Sequence, residues 1–177
     1  MNMWPALTFA LTSFALAGAV SDVRSQRISN RLVVAGLVVA LALRAAWGLG
    51  PLWHGVAGGL IALAVGFPLF ALRAFGGGDV KFLVLCGAFV GLPLVGRTAL
   101  YAAAAGGLLA LGVIAWRRLP LVAALRTWDL LKATLTFGRH GERMTLHDPG
   151  AIAAPYGVAI AAGALLVWFG DAGGWLP

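Results

Sequence analysis

An all-α membrane bundle is the fold class this sequence predicts, and three observations predict it. Hydrophobic residues make up 61% of the chain and charged residues only 11%, whereas soluble chains average about 25% charged. The apolar residues gather into six runs, most of them near the length of about 20 residues that a bilayer-crossing helix needs. The 13 Lys and Arg fall mainly in alternate gaps between those runs, the asymmetry expected when basic loops are held on the cytoplasmic side. The net charge of +7 therefore reads as topology and not as a nucleic-acid surface. One membrane-embedded domain, 1–177, is expected, with the lipid bilayer as its solvent.

The spans follow in order. The first, 4–20, has no basic residue ahead of it, so a cleaved secretory signal is not expected. Arg24, Arg27 and Arg31 follow it and set its far end inside. The second covers 32–47 and the third 52–72, with Pro68 inside the third predicting a kink. The fourth, 80–95, is short; the fifth covers 98–116 and the sixth 152–169. This alternation puts Arg24, Arg27, Arg31, Arg73, Lys81, Arg117, Arg118, Arg126, Lys132, Arg139 and Arg143 inside, and Arg44 and Arg97 outside. It predicts an inner (plasma) membrane protein with both termini extracytoplasmic.

Pro51, Pro93 and Pro149 lie at or near the turns, where a missing amide proton costs little. Gly58-Gly59, Gly106-Gly107 and Gly87 with Gly91 form small-residue faces that let helices approach closely. The one substantial loop is cytoplasmic, 117–150. Within it Leu121, Leu125, Trp128, Leu131 and Leu135 recur at helical spacing opposite Arg126, Asp129, Lys132 and Thr136. That pattern predicts an interfacial amphipathic helix on the inner leaflet. The single cysteine, Cys86, excludes an intrachain disulfide, a CxxC redox pair and a four-cysteine zinc site. His54, His140 and His147 show no ligand spacing, so neither a metal nor another cofactor is expected.

Two carboxylates carry the chemistry. Asp22 lies at the inner end of span 1, and Asp79 lies at the inner start of span 4 after Gly76-Gly77-Gly78. Each has a plain structural reading, Asp79 as a helix cap and Asp22 as an Asx turn. Together they stand at one level of the membrane, where carboxylates are costly to place. Two close carboxyls cannot both ionise cheaply, so one keeps a proton while its partner can activate water. The glycines leave the backbone free to take positive φ and to receive an extended substrate strand beside Asp79. An ion or proton relay in a multi-pass transporter is the first alternative, and a non-catalytic membrane assembly subunit is the second.

The segments around the carboxylates resemble the type IV prepilin peptidase family. Asp22-Val23-Arg24-Ser25-Gln26-Arg27-Ile28-Ser29-Asn30 is similar to the family's Asp, basic stretch and Ile-Pro-Asn, with Ser29 in the place of Pro. Gly76-Gly77-Gly78-Asp79-Val80-Lys81 matches its Gly-x-Gly-Asp-x-Lys, and Pro155-Tyr156-Gly157 is similar to its late Pro-Tyr/Phe-Gly segment. The resemblance implies an aspartic endopeptidase with Asp22 and Asp79 as catalytic groups and the site facing the cytoplasm. Gly76, Gly77, Gly78, Lys81, Arg27, Asn30, Pro155, Tyr156 and Gly157 would shape that site. Lys81 either holds a carboxylate or is a topological anchor, and Ser29 is expected to loosen the turn into span 2. The implied substrate is a prepilin or pseudopilin with a short basic leader, a Gly before the scissile bond and an apolar helix after it. Pilus-assembly machinery is the further partner implied. Larger members carry paired CxxC motifs after span 1, linked to zinc and to N-methylation. Their absence here resembles the small tight-adherence (Flp) form and makes methyltransferase activity doubtful.

Overall fold

The computed structural model describes residues 4–72, 75–116 and 156–172. Among them are six helices: α1 (Trp4–Ser25), α2 (Asn30–Ala45), α3 (Leu49–Ala71), α4 (Gly77–Val90), α5 (Leu92–Trp116) and α6 (Tyr156–Ala172). Three carry stretches long and apolar enough to cross a membrane, namely α1, α3 and α5 over Leu92–Gly112. The apolar stretch of α6, Tyr156–Asp171, is shorter. The amphipathic helix expected within 117–150 lies outside the described residues.

The architecture is a ring around one central helix. Neighbouring contacts run α1 to α2, α2 to α3, α3 to α5, α5 to α6 and α6 back to α1, and α4 touches all five. The composition of α4 explains its position. Val80, Phe82, Leu83, Leu85, Cys86, Gly87, Ala88, Phe89 and Val90 are all buried, so no polar stripe faces outward. A helix apolar on every side belongs in an interior. Its 14 residues span only about 21 Å at the helical rise. The ring helices instead turn large apolar side chains outward, among them Phe9, Leu16, Val38, Leu60, Leu100 and Leu108.

Close approach to α4 is made by backbone, not by side chains. A Cβ at Gly58 would overlap the Gly87 carbonyl oxygen and lie 2.9 Å from Gly91 Cα. A Cβ at Gly87 would lie 2.7 Å from the Ala62 Cβ. On the other side, the Phe82 ring occupies the place of a Gly18 side chain. At the end of the bundle away from Asp22, Trp168 is 2% exposed, donates to Thr8 Oγ1 at 2.9 Å and packs on Trp4.

Several boundaries differ from the hydropathy reading. α1 continues past 20 to Ser25, because Val20-Ser21-Asp22-Val23-Arg24-Ser25 contains no helix breaker and Ser25 Oγ donates back to Ser21 O at 2.7 Å. The helix stops where Gln26 turns to φ 50°. α4 begins at Gly77, not 80, and ends at Val90, not 95, because Gly91 at φ 81° turns the chain straight into α5. Arg97, expected between spans 4 and 5, lies within α5, while Arg44, within the expected second span, lies in α2. Pro68 sits in the last turn of α3, so its effect falls on the helix end.

Gly58→Leu should therefore cost about 2–3 kcal/mol of stability through overpacking. Gly107→Ala, where a Cβ meets nothing within 4 Å, should stay within about 0.5 kcal/mol of the parent protein. Thermal unfolding in one detergent, followed by tryptophan fluorescence, compares the two.

Candidate active site

Asp22 sits in the last turns of α1, where it is 6% exposed. Its Oδ2 accepts a hydrogen bond from the Gly157 amide at 2.6 Å, and Gly157 lies in the first turn of α6. First-turn amides have no partner within their own helix, and they sit at the positive end of its dipole. Asp22 thus takes up an orphan donor of a neighbouring helix. Gly157 must be glycine for this approach, since a Cβ there would lie 2.8 Å from Oδ2 and 2.9 Å from the Asp22 Cβ.

Asp79 is in the first turn of α4, just ahead of the apolar run that starts at Val80. Its Oδ2 accepts from the Gly76 amide at 3.0 Å, with Gly76 as the N-cap residue. The capping reading is therefore real, and it uses the side chain reaching back from the third helical position. Asp79 is half-buried. A run of contacts joins the two carboxylates: Gly157 adjoins Tyr156, whose ring packs on Phe75, and Phe75 adjoins Gly76. Both lie at helix N-termini, Asp79 at its own and Asp22 at that of α6.

The three glycines act differently from expectation. None of Gly76, Gly77 and Gly78 has positive φ; among the described glycines only Gly48 and Gly91 do. Gly77 and Gly78 are already helical, and Gly76 is extended at φ −75°, ψ 153°. Only Gly76 is tight: a Cβ there would crowd Asp79 Oδ2 at 3.1 Å, while Cβ atoms at Gly77 and Gly78 would make ordinary contact with Phe70 and the Ile28 amide nitrogen, each at 3.6 Å.

The α1–α2 turn lies against this glycine segment. Ile28 is 8% exposed and plugs the turn into the core. Arg27 has an exposed side chain, and its carbonyl accepts from Ser21 Oγ at 2.8 Å and Ser25 Oγ at 3.2 Å. Ser29 caps α2, accepting from the Arg31 amide at 3.3 Å with φ −64°, the value a proline ring would impose. The serine preserves the backbone geometry expected of Pro. Lys81 Nζ donates to Asn30 Oδ1 at 3.0 Å, so the lysine ties α4 to α2. Tyr156 is half-buried and packs on Phe75 with ring centroids 5.2 Å apart; Gly106 leaves room for its ring, since a Cβ there would lie 2.7 Å from Cε1. Pro155 lies outside the described residues.

The structure thus gathers Asp22, Asp79, Gly76, Gly78, Tyr156 and Gly157 at one end of the bundle, with the Lys81–Asn30 tie beside them. The sequence reading missed Ile28, Ser21, Ser25 and Phe75. The serines at helical spacing around Asp22 were the available signal; nothing local marks Ile28 as buried.

A family model described as the type IV leader peptidase family matches residues 9–111. That range contains Asp22 and Asp79 but not the Tyr156-Gly157 segment. Comparison with curated proteins and with solved structures gives no match.

Gly157→Ala should push the Asp22 carboxylate aside and lower peptidase activity by about 100-fold, the scale of an ångström-sized misplacement. Gly107→Ala should leave activity near that of the parent protein. Parallel rate measurements on the purified variants check both.

Proposed function

Because the chain belongs to the type IV leader peptidase family, we propose that it is a membrane aspartic endopeptidase in which Asp22 and Asp79 share one proton. The observation that carries this reading is that Asp22 and Asp79 each accept a helix N-terminal amide at the same end of the bundle. The amides favour ionised carboxylates, while burial and mutual repulsion favour a proton on one of them. The balance leaves one acid and one base side by side.

With a scissile peptide between them, the ionised carboxylate takes a proton from water as the water oxygen attacks the carbonyl carbon. The protonated carboxyl donates to the carbonyl oxygen as negative charge develops there. Collapse of the tetrahedral intermediate breaks the C–N bond, and a proton passes to the leaving amine. The products are a carboxylic acid and a free amine, and the pair returns with one proton. Their titration belongs to the pair, so neither residue has a fixed role.

The proposed substrate is a prepilin or pseudopilin. Its apolar helix would lie in the bilayer while the leader junction reaches the carboxylates at the cytoplasmic surface. Exposed Arg24, Arg27, Arg31 and Lys81 at that end support an inside orientation by the positive-inside rule. In this reading all six helices span the inner membrane as one domain, and Trp4 and Ala172 face the extracytoplasmic side. The short α1–α2 turn and the lone Cys86 support the small Flp-type form without methyltransferase activity. Carboxylates at helix ends support hydrolysis over an ion relay, which needs them along a path through the bundle.

Asp22→Asn and Asp79→Asn should each lower leader cleavage by at least about 10²–10⁴-fold, the usual worth of a general acid or base. Both proteins should still insert. Normal cleavage by either variant sinks the pair. The pH profile of kcat/KM should be bell-shaped, with an acid limb where the base gains a proton and an alkaline limb where the acid loses its own. Loss of activity above the alkaline limb is loss of the shared proton. A flat profile contradicts the mechanism.

A further inference from the structure

Arg44 is 5% exposed, deep among the ring helices. Its guanidinium makes three directional bonds, all to backbone carbonyls. Nε donates to Ala88 O at 3.0 Å, Nη2 to Phe89 O at 2.7 Å and Nη1 to Pro51 O at 3.2 Å. Ala88 and Phe89 lie in the last turn of α4, whose carbonyls have no partner within the helix and form its negative end. Pro51 lies in the first turn of α3. One side chain on α2 therefore grips two other helices at the end of α4 opposite Asp79.

The site around Arg44 is cut to its shape. A Cβ at Gly55 would overlap its Cδ, and a Cβ at Gly91 would lie 2.8 Å from Nη2. Burying a cation is costly, and replacing buried ions with apolar groups is often neutral or stabilising. The arginine thus contributes little as a source of stability. It does provide axial register. Where α3 meets α4 at Gly58, Ala62, Gly87 and Gly91 the contact is mostly backbone, with Val80, Leu83 and Val84 reaching Gly66 and Gly59 as its side-chain knobs. Apolar contacts alone are a weak brake on one helix sliding along the other. Hydrogen bonds with fixed geometry do stop it. Asp79 rides at the far end of the same rigid helix.

We propose that Arg44 is a positioning residue that sets the axial register of α4 and thereby delivers the Asp79 carboxylate to Asp22. This rests on the reading of Asp79 as a catalytic group. Arg44→Met keeps the length of the side chain without its donors. It should lower kcat by about 10- to 100-fold, the effect of a small misplacement, with KM within about twofold. Arg44→Lys keeps the charge but not the fork, and should fall between Arg44→Met and the parent protein.

A readout independent of activity is a disulfide between Gly66→Cys and Val80→Cys in a Cys86→Ala background. A Cβ at Gly66 lies 3.1 Å from Val80 Cγ1, so the thiols start within bonding reach. Adding Arg44→Met should slow that cross-link, while a control pair joining α1 to α6 forms as before. Unchanged cross-linking, or unchanged kcat in Arg44→Met, overturns the proposal. So does loss of both cross-links, which would make Arg44 a general assembly residue. Failure of the underlying reading would show separately, as cleavage retained by Asp79→Asn.

Discussion

A helix enclosed by other helices has no lipid and no water to face, so polar groups are tolerated only at its ends. This constraint on α4 organises the molecule. Its flanks are apolar or small from Phe82 to Val90, and its five neighbours close around it. At one end Asp79 takes up the amide of Gly76. At the other, Arg44 takes up the carbonyls of Ala88 and Phe89. The negative side chain stands at the positive helix end and the positive side chain at the negative end, the arrangement the macrodipole favours.

Asp22 answers the same electrostatics from the ring. It cannot be solvated where it lies, so it takes the exposed first-turn amide of α6 at 2.6 Å. Two helix N-termini thus converge on two carboxylates in a place too dry for both to ionise freely. The aromatic pair Phe75 and Tyr156 and the Ile28 plug limit water further. In the proposed mechanism the two carboxyls share one proton there, which is also what water activation requires.

Much of this was legible in the chain. Apolar runs and basic gaps located the helices and put Asp22 and Asp79 at the same level, and the family match over 9–111 agrees with the resemblance drawn from the motifs. The misreadings have physical causes. Hydropathy ends where charges begin, whereas helical hydrogen bonding continues, so α1 ran on through Asp22 to Ser25. A lone arginine near the end of an apolar run looks the same whether it faces water or grips a helix end, so Arg44 was placed at the outside surface and its bonds to Ala88 and Phe89 were not foreseen. Glycines serve both positive φ and close approach, and sequence does not separate the two. Gly76 leaves clearance for Asp79 Oδ2, while Gly91 has the positive φ. That α4 is central depends on contacts far apart in the chain, which no local pattern encodes.

The central claim is that the two carboxylates titrate as one unit. An infrared titration of the carboxyl stretch tests it directly in the parent protein and in Asp22→Asn. In the parent protein the Asp79 step should reflect the ionisation of both carboxyls. In Asp22→Asn that step should move down, because the neighbouring charge is gone. An Asp79 step that does not move when Asp22 is neutralised would contradict the pair.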